Sequence, residues 1–220
     1  MTSKPAILCF GDSNTHGTRP MRGFRDVGRY LAKQRWPGVT QDILGDSAEI
    51  VEAGHPGRTT LFENRTGGGN RSGLNALGLY LESNCPLDCV VLMLGTNDLH
   101  AHYSLSAQVV AWNLAQLVEL IQRSPCGPVE DRPPHVLIVS PPHIAERGFA
   151  AEAMAGASDK SKRLAVHYES LARQYGTSFL DAAAIVEPDP LDGIHLSSES
   201  HVTLGVAIAG KLTAVLQLGE

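Results

Sequence analysis

A serine, a histidine and a carboxylate make an acyl-transfer centre when the imidazole can take the serine's proton and the acid can hold the imidazolium that results. The chain offers these side chains in two stretches far apart in sequence. Asp192-Gly193-Ile194-His195 sets a carboxylate three residues before a histidine with a glycine between, a spacing that lets the acid fold back onto the ring. Gly11-Asp12-Ser13-Asn14-Thr15-His16-Gly17 sets a serine inside a glycine-bounded run. Two further stretches could meet the negative charge that acyl transfer develops. Ala53-Gly54-His55-Pro56-Gly57-Arg58-Thr59-Thr60 holds glycines whose N–H groups can face an anion. Gly95-Thr96-Asn97-Asp98 holds an asparagine amide. Each stretch has a plainer reading. Ser13 can be a helix cap or turn serine, Gly57 part of an ordinary turn, and Asn97 an Asx-turn or capping residue. Asp192 and His195 can be a loop acid and a surface imidazole.

What must position these residues is legible in the hydrophobic pattern. Short continuous apolar runs, Ala6–Phe10, Cys89–Leu94 and Val136–Val139, read as strands buried on both faces, with Ala48–Glu52 and Ser178–Leu180 as weaker candidates. Between them lie helical periodicities over Trp36–Leu44, Gly73–Glu82, Ser106–Gln122, Ser161–Tyr175 and Ser198–Leu216. Alternation of this kind predicts one α/β domain, residues 1–220, with a parallel sheet of about five strands. Ligands of such sheets bind beyond the carboxyl ends of the strands. The stretches that hold Ser13, Gly57 and Asn97 all follow predicted strands directly, and the Asp192–His195 stretch lies in the closing loop.

With these four stretches the chain resembles the SGNH (GDSL-type) hydrolases. The family's blocks are matched by Gly11-Asp12-Ser13, the Gly57 loop, Gly95-Thr96-Asn97-Asp98 and Asp192-Gly193-Ile194-His195. Trp36-Pro37-Gly38-Val39, Gly57-Arg58-Thr59-Thr60, Ser140-Pro141-Pro142 and Asp159-Lys160-Ser161 look like its bacterial arylesterase and acyltransferase branch. The resemblance implies a flavodoxin-like three-layer sandwich with five parallel strands ordered 2-1-3-4-5. It implies Ser13 as nucleophile, His195 as general base and acid, and Asp192 as the group orienting His195. The oxyanion hole would be the N–H groups of Ser13 and Gly57 with the Asn97 amide. The reaction implied is hydrolysis of short-chain carboxylic esters without a cofactor, the branch also including acyl transfer to alcohols or peroxide. A carbohydrate O-acetylesterase is the neighbouring alternative, and a non-catalytic small-molecule binding module on the same scaffold is the alternative of another class.

The chain departs from the pattern at Glu52, His55, Pro56 and His100, and the last three bear on substrate choice. Asp12, Asn14, His16, His55, His100 and His143 are candidates to border the pocket. His100 and His102 form an H-x-H pair near Asp98, yet no H-E-x-x-H helix or cysteine-rich ligand set accompanies them, so no metal is expected. His135 and His167 read as incidental surface residues, and His201 has no evident partner. Two long segments, Thr18–Arg35 and Ile144–Ser158, are expected to be functional or disordered. The second is apolar enough to wall a shallow pocket against a neighbouring subunit, which predicts a homo-oligomer; a mobile lid on a monomer is the alternative.

Composition sets the outer limits. The chain has 220 residues, 43% of them hydrophobic, and a net charge of −5. The chain therefore has no basic excess with which to bind nucleic acid through its phosphates. Its longest apolar runs fall far short of the ~20 residues that a bilayer needs. The five-residue apolar start is too short for a signal-peptide core, so a cytoplasmic location is expected. Cys9, Cys85, Cys89 and Cys126 show no disulfide spacing and no C-x-x-C pair.

Overall fold

The computed structural model describes residues 4–63 and 69–218. Five strands form one parallel sheet: β1 (Ala6–Gly11), β2 (Glu49–Gly54), β3 (Cys89–Met93), β4 (His135–Ser140) and β5 (Ser178–Asp181). Their order is β2-β1-β3-β4-β5, with every neighbouring pair parallel. Residue alternation assigns the two faces. Leu8, Phe10, Val90 and Leu92 point into one core with α3 (Gly73–Ser83), α4 (Ala107–Arg123) and α5 (Ala157–Tyr175). Ile7, Cys9, Cys89, Val91 and Met93 point into the other, with α2 (Trp36–Leu44) and α6 (Ser198–Leu216). Each fully buried Leu, Ile or Phe contributes roughly 1.5–3 kcal/mol. Strands that must feed two cores read as unbroken apolar runs for that reason.

Most element ends shift by a residue or two from the sequence pattern, and three larger differences have local reasons. β2 runs on through Ala53 and Gly54, which pair with Phe10 and Gly11. A Cβ at Gly54 would stand 2.1 Å from the His16 backbone nitrogen, so only glycine lets the strand pass so close to the neighbouring turn. α5 starts four residues earlier than its apolar stripe suggests, because Ala157 and Ser161 are small, buried and weakly apolar. The single helical turn α1 (Ser13–His16) is too short to show periodicity at all. Asp12 caps it, its Oδ1 accepting from Asn14 N at 2.9 Å, and Gly17 ends it at φ +81°.

α2 lies along α6. Thr40 Oγ1 donates to Gly205 O at 3.1 Å. Trp36 N, at the start of α2, donates to His201 Nδ1 at 3.3 Å. His201 therefore has a partner after all: it caps the neighbouring helix from inside the core, fully buried. No helix among the described residues is long and apolar enough to cross a membrane.

Candidate active site

The carboxyl ends of β1, β2 and β3 hand the chain to the three loops that resemble the family's first three blocks, and the loop before α6 supplies the fourth. Ser13 is the first residue of α1, placed by the turn that Asp12 caps. The helix cap is thus Asp12, and the serine hydroxyl is left to other work. It does that work toward His195: Ser13 Oγ and His195 Nε2 are 3.1 Å apart. On the other side of the ring, His195 Nδ1 meets Asp192 Oδ2 at 2.7 Å. Ser13, His195 and Asp192 are all buried.

The Asp192 loop folds back on itself as its spacing suggests. Asp192 Oδ1 accepts from Ile194 N and His195 N, both at 2.9 Å. Gly193 makes the turn at φ +70°, where a Cβ would lie 1.8 Å from Ala145 O. The second carboxylate oxygen also accepts from Met21 N at 2.7 Å. Burial raises the Asp192 pKa, but the hydrogen bond and charge of His195 and these N–H groups outweigh it and hold the carboxyl below its ordinary value. Asp192 is therefore kept ionised, the state that stabilises an imidazolium.

Asn14 holds the serine turn and the histidine loop together. Its Nδ2 donates to Ile194 O at 3.1 Å and its Oδ1 accepts from Leu196 N at 3.2 Å. Asp12 and Asn14, both expected at the pocket, thus lie beneath the site as fixings, each about 1% exposed. Burial lifts the Asp12 pKa from 3.8 to about 6.

Gly57 sits in a turn closed by Arg58 N donating to His55 O at 3.1 Å, with φ +74° at Gly57. That backbone favours glycine. Asn97 reaches the same loop: its Nδ2 donates to Arg58 O at 3.0 Å. Asp98 ties the loops again from below, accepting from Thr60 N at 3.1 and 3.0 Å and from the Thr60 hydroxyl. Burial raises Asp98 to about 6 as well.

Arg58, which sequence reasoning passed over as part of a motif, is the buried strut of this corner. Its guanidinium lies 4.1 Å from the Phe10 ring centroid and 5.4 Å from that of Tyr80. It donates to Gly11 O at 2.8 Å and to Ala53 O. No spacing rule marks it; an arginine between glycine and threonines carries no signal of burial. The Met21 contact to Asp192 is equally silent, because it comes from the long Thr18–Arg35 segment.

The remaining candidates lie around these loops. His16 Nδ1 is 3.1 Å from Thr18 Oγ1, and burial with the nearby Arg29 and Arg35 brings its pKa down to about 4. His55 is exposed, beside Arg71, and its pKa is lowered by partial burial and that charge. His143 is half-buried. Glu52 accepts from Arg35 and Arg29 and so anchors the long segment to the edge strand. His100 and His102 belong to a row of rings. They stand 5.5 Å apart, His102 lies 4.0 Å from Tyr103, and Tyr103 stacks on Phe62 at 5.1 Å. Among the described residues no three His, Cys, Asp or Glu side chains gather as metal ligands.

The segment after β4 is well fastened. Ala145 N donates to Gly193 O at 2.8 Å, Ala101 N donates to Ala153 O at 2.8 Å, and Ile144, Ala150 and Met154 are buried. It thus spans from the histidine loop to the loop after Asn97.

A parallel sheet ordered 2-1-3-4-5 with a Ser–His–Asp array at its carboxyl edge defines a serine hydrolase. Residues 9–202 match the model of the GDSL-like lipase/acylhydrolase family, and the chain belongs to that family. A carbohydrate acetylesterase from Sinorhizobium meliloti is 35% identical, with a TM-score of 0.90 over 96% of this chain and 100% of that one. The aryl esterase of M. smegmatis is 34% identical, with a TM-score of 0.90 over 96% and 99%. A lipase/acylhydrolase from Enterococcus faecalis, at 20% identity and a TM-score of 0.66 over 96% of each chain, shares the fold. The comparison with curated proteins gives no match. The family and these esterase neighbours make the chain a serine esterase acting on small-molecule esters.

Proposed function

We propose that the protein hydrolyses short-chain acyl esters of phenols or alcohols through an acyl-enzyme on Ser13. The observation that carries this is the continuous hydrogen-bond line from Ser13 Oγ through His195 to Asp192. Ser13 attacks the ester carbonyl while His195 Nε2 takes its proton. The tetrahedral oxyanion is met by the Ser13 and Gly57 N–H groups and the Asn97 amide. His195 then returns the proton to the leaving oxygen, and water repeats the sequence to release the acid. No metal or cofactor enters these steps. Acyl transfer to an alcohol or peroxide would need only that this nucleophile replace the water.

The row Phe62, Tyr103, His102, His100 supports a ring-bearing leaving group. Both oxyanion loops run on into it, and a row of stacked and tilted rings can offer a face to an aryl group or a sugar. The acetylesterase and aryl esterase neighbours favour the same two alcohols. A serine-directed phosphonate should add to Ser13 alone and abolish turnover; peptide mapping that finds the adduct on another residue would overturn the assignment. A binding module would fail to turn over phenyl acetate at all.

The reading includes one catalytic domain over residues 1–220, a cytoplasmic location and a homo-oligomer. For assembly, the support is apolar side chains left in water beside the site. Phe24, Val27 and Leu31 are 79%, 81% and 74% exposed, and Phe24 meets Phe149 of the other long segment edge-on at 5.9 Å. Such a patch is costly on a monomer. A second copy covering it would wall the pocket and favour short acyl groups.

A further inference from the structure

We propose that Cys85 and Cys126 are a peroxide-oxidisable dithiol that closes to an intramolecular disulfide. Cys85 lies in the connection from α3 to β3, and Cys126 in that from α4 to β4. The two are forty-one positions apart in sequence, so no spacing motif reveals them. The fold lays the two connections side by side: Leu87 N, two residues after Cys85, donates to Cys126 O at 2.7 Å, and Cys85 is the neighbour that acts most strongly on the Cys126 thiol. Both connections precede their strands, so the pair sits at the end of the sheet opposite Ser13.

The two cysteines differ in access. Cys85 is exposed, whereas Cys126 is only 5% exposed. Burial, with Cys85 and Glu82 beside it, pushes the Cys126 thiol up. Its exposure makes Cys85 the group that meets an oxidant first. The Cys85 thiolate attacks one oxygen of a hydroperoxide, the O–O bond breaks, and water or an alcohol leaves. Cys85 is then a sulfenic acid. Cys126 Sγ attacks the Cys85 sulfur, the S–O bond breaks, and water leaves as the S–S bond forms. Two thiols have lost two electrons and two protons, and one peroxide has gained them. A shielded partner beside the exposed sulfur competes with further oxidation of Cys85, and a small-molecule thiol reverses the bond.

The other two cysteines serve as internal controls. Cys9 and Cys89 are both fully buried between the sheet and its covering helices. A bond from residue 85 to 126 would close a loop of about 40 residues and constrain the unfolded chain.

The test uses the reduced protein treated with stoichiometric hydrogen peroxide, then denatured. The expected result is a fall from four titratable thiols to two and a mass loss of about 2 Da. A peptide joining Cys85 to Cys126 should vanish on reduction, and the oxidised protein should melt several degrees higher. Cys85→Ser, a change at an exposed position, should keep its remaining thiols and its melting temperature under the same treatment. Oxygen added to Cys85 with the Cys126 thiol intact would overturn the proposal. A disulfide between two chains, or thiol loss persisting in Cys85→Ser, would overturn it equally. None of these readouts depends on the esterase reading.

Discussion

Asn97 spends one amide hydrogen on Arg58 O, which fixes the side chain and leaves the other hydrogen for a substrate oxygen. In the proposed reaction that oxygen carries full charge only in the transition state, so the amide should act on kcat. Asn97→Ala is expected to lower kcat roughly 10²–10³-fold with KM little changed. Steady-state kinetics on phenyl acetate decides it: a raised KM with kcat intact would make the amide a substrate-binding group instead. Asn14 acts one step removed. Its two bonds to the residues flanking His195 are the only described side-chain link between the serine turn and the histidine loop apart from the Ser13–His195 bond itself. Asn14→Ala should therefore leave the Ser13 hydroxyl in place but let the imidazole drift. The expected outcome is a kcat reduced about 10-fold or more, since misplacement by 1 Å can cost ~10². Equal kcat in variant and parent would show that the loop holds itself.

Among the elements, the α2–α6 pair carries a pH signature. Burial, with His195 and Arg35 nearby, lowers the His201 pKa from 6.5 to about 3. Between those values the unfolded chain binds a proton that the folded chain refuses. This contribution is therefore fully present above pH 6.5 and is lost as pH falls toward 3. Asp12 and Asp98 act oppositely: burial raises each from 3.8 to about 6, so their effect is to lower stability as pH rises across that window. His201→Asn can keep an acceptor for Trp36 N while removing the imidazole. The margin of the parent over this variant, read from urea midpoints, should be wider at pH 7 than at pH 4.5. Parallel curves at the two pH values would take His201 out of the account. The same elements show what sequence could reveal. Cys89–Met93 and Ala6–Gly11 were legible because strands serving two cores leave unbroken apolar runs. Ser13, Asn97, Asp192 and His195 were legible because their stretches follow strands or hold a fixed spacing. α1 was not, since four residues show no period. Arg58, Met21 and His201 were not, because their roles rest on contacts between distant segments.

On the scale of the whole molecule, the exposed Phe24, Val27 and Leu31 set an expectation for assembly. Light scattering at micromolar concentration should give a mass well above the 23.5 kDa of one chain, and phenyl acetate should be cleaved much faster than phenyl octanoate. A monomer that prefers the octanoyl ester would defeat both parts; a monomer that prefers acetate would mean that one chain narrows its own pocket. The proposed nucleophile is residue 13 and its base residue 195, joined only when the segment before α6 lies against α1. Turnover is then a clock for folding. A ribosome-bound chain should stay silent until its last fifth has emerged and docked, however complete the strands behind it. In refolding, regained activity should lag the recovery of helical signal and keep pace with the arrival of α6.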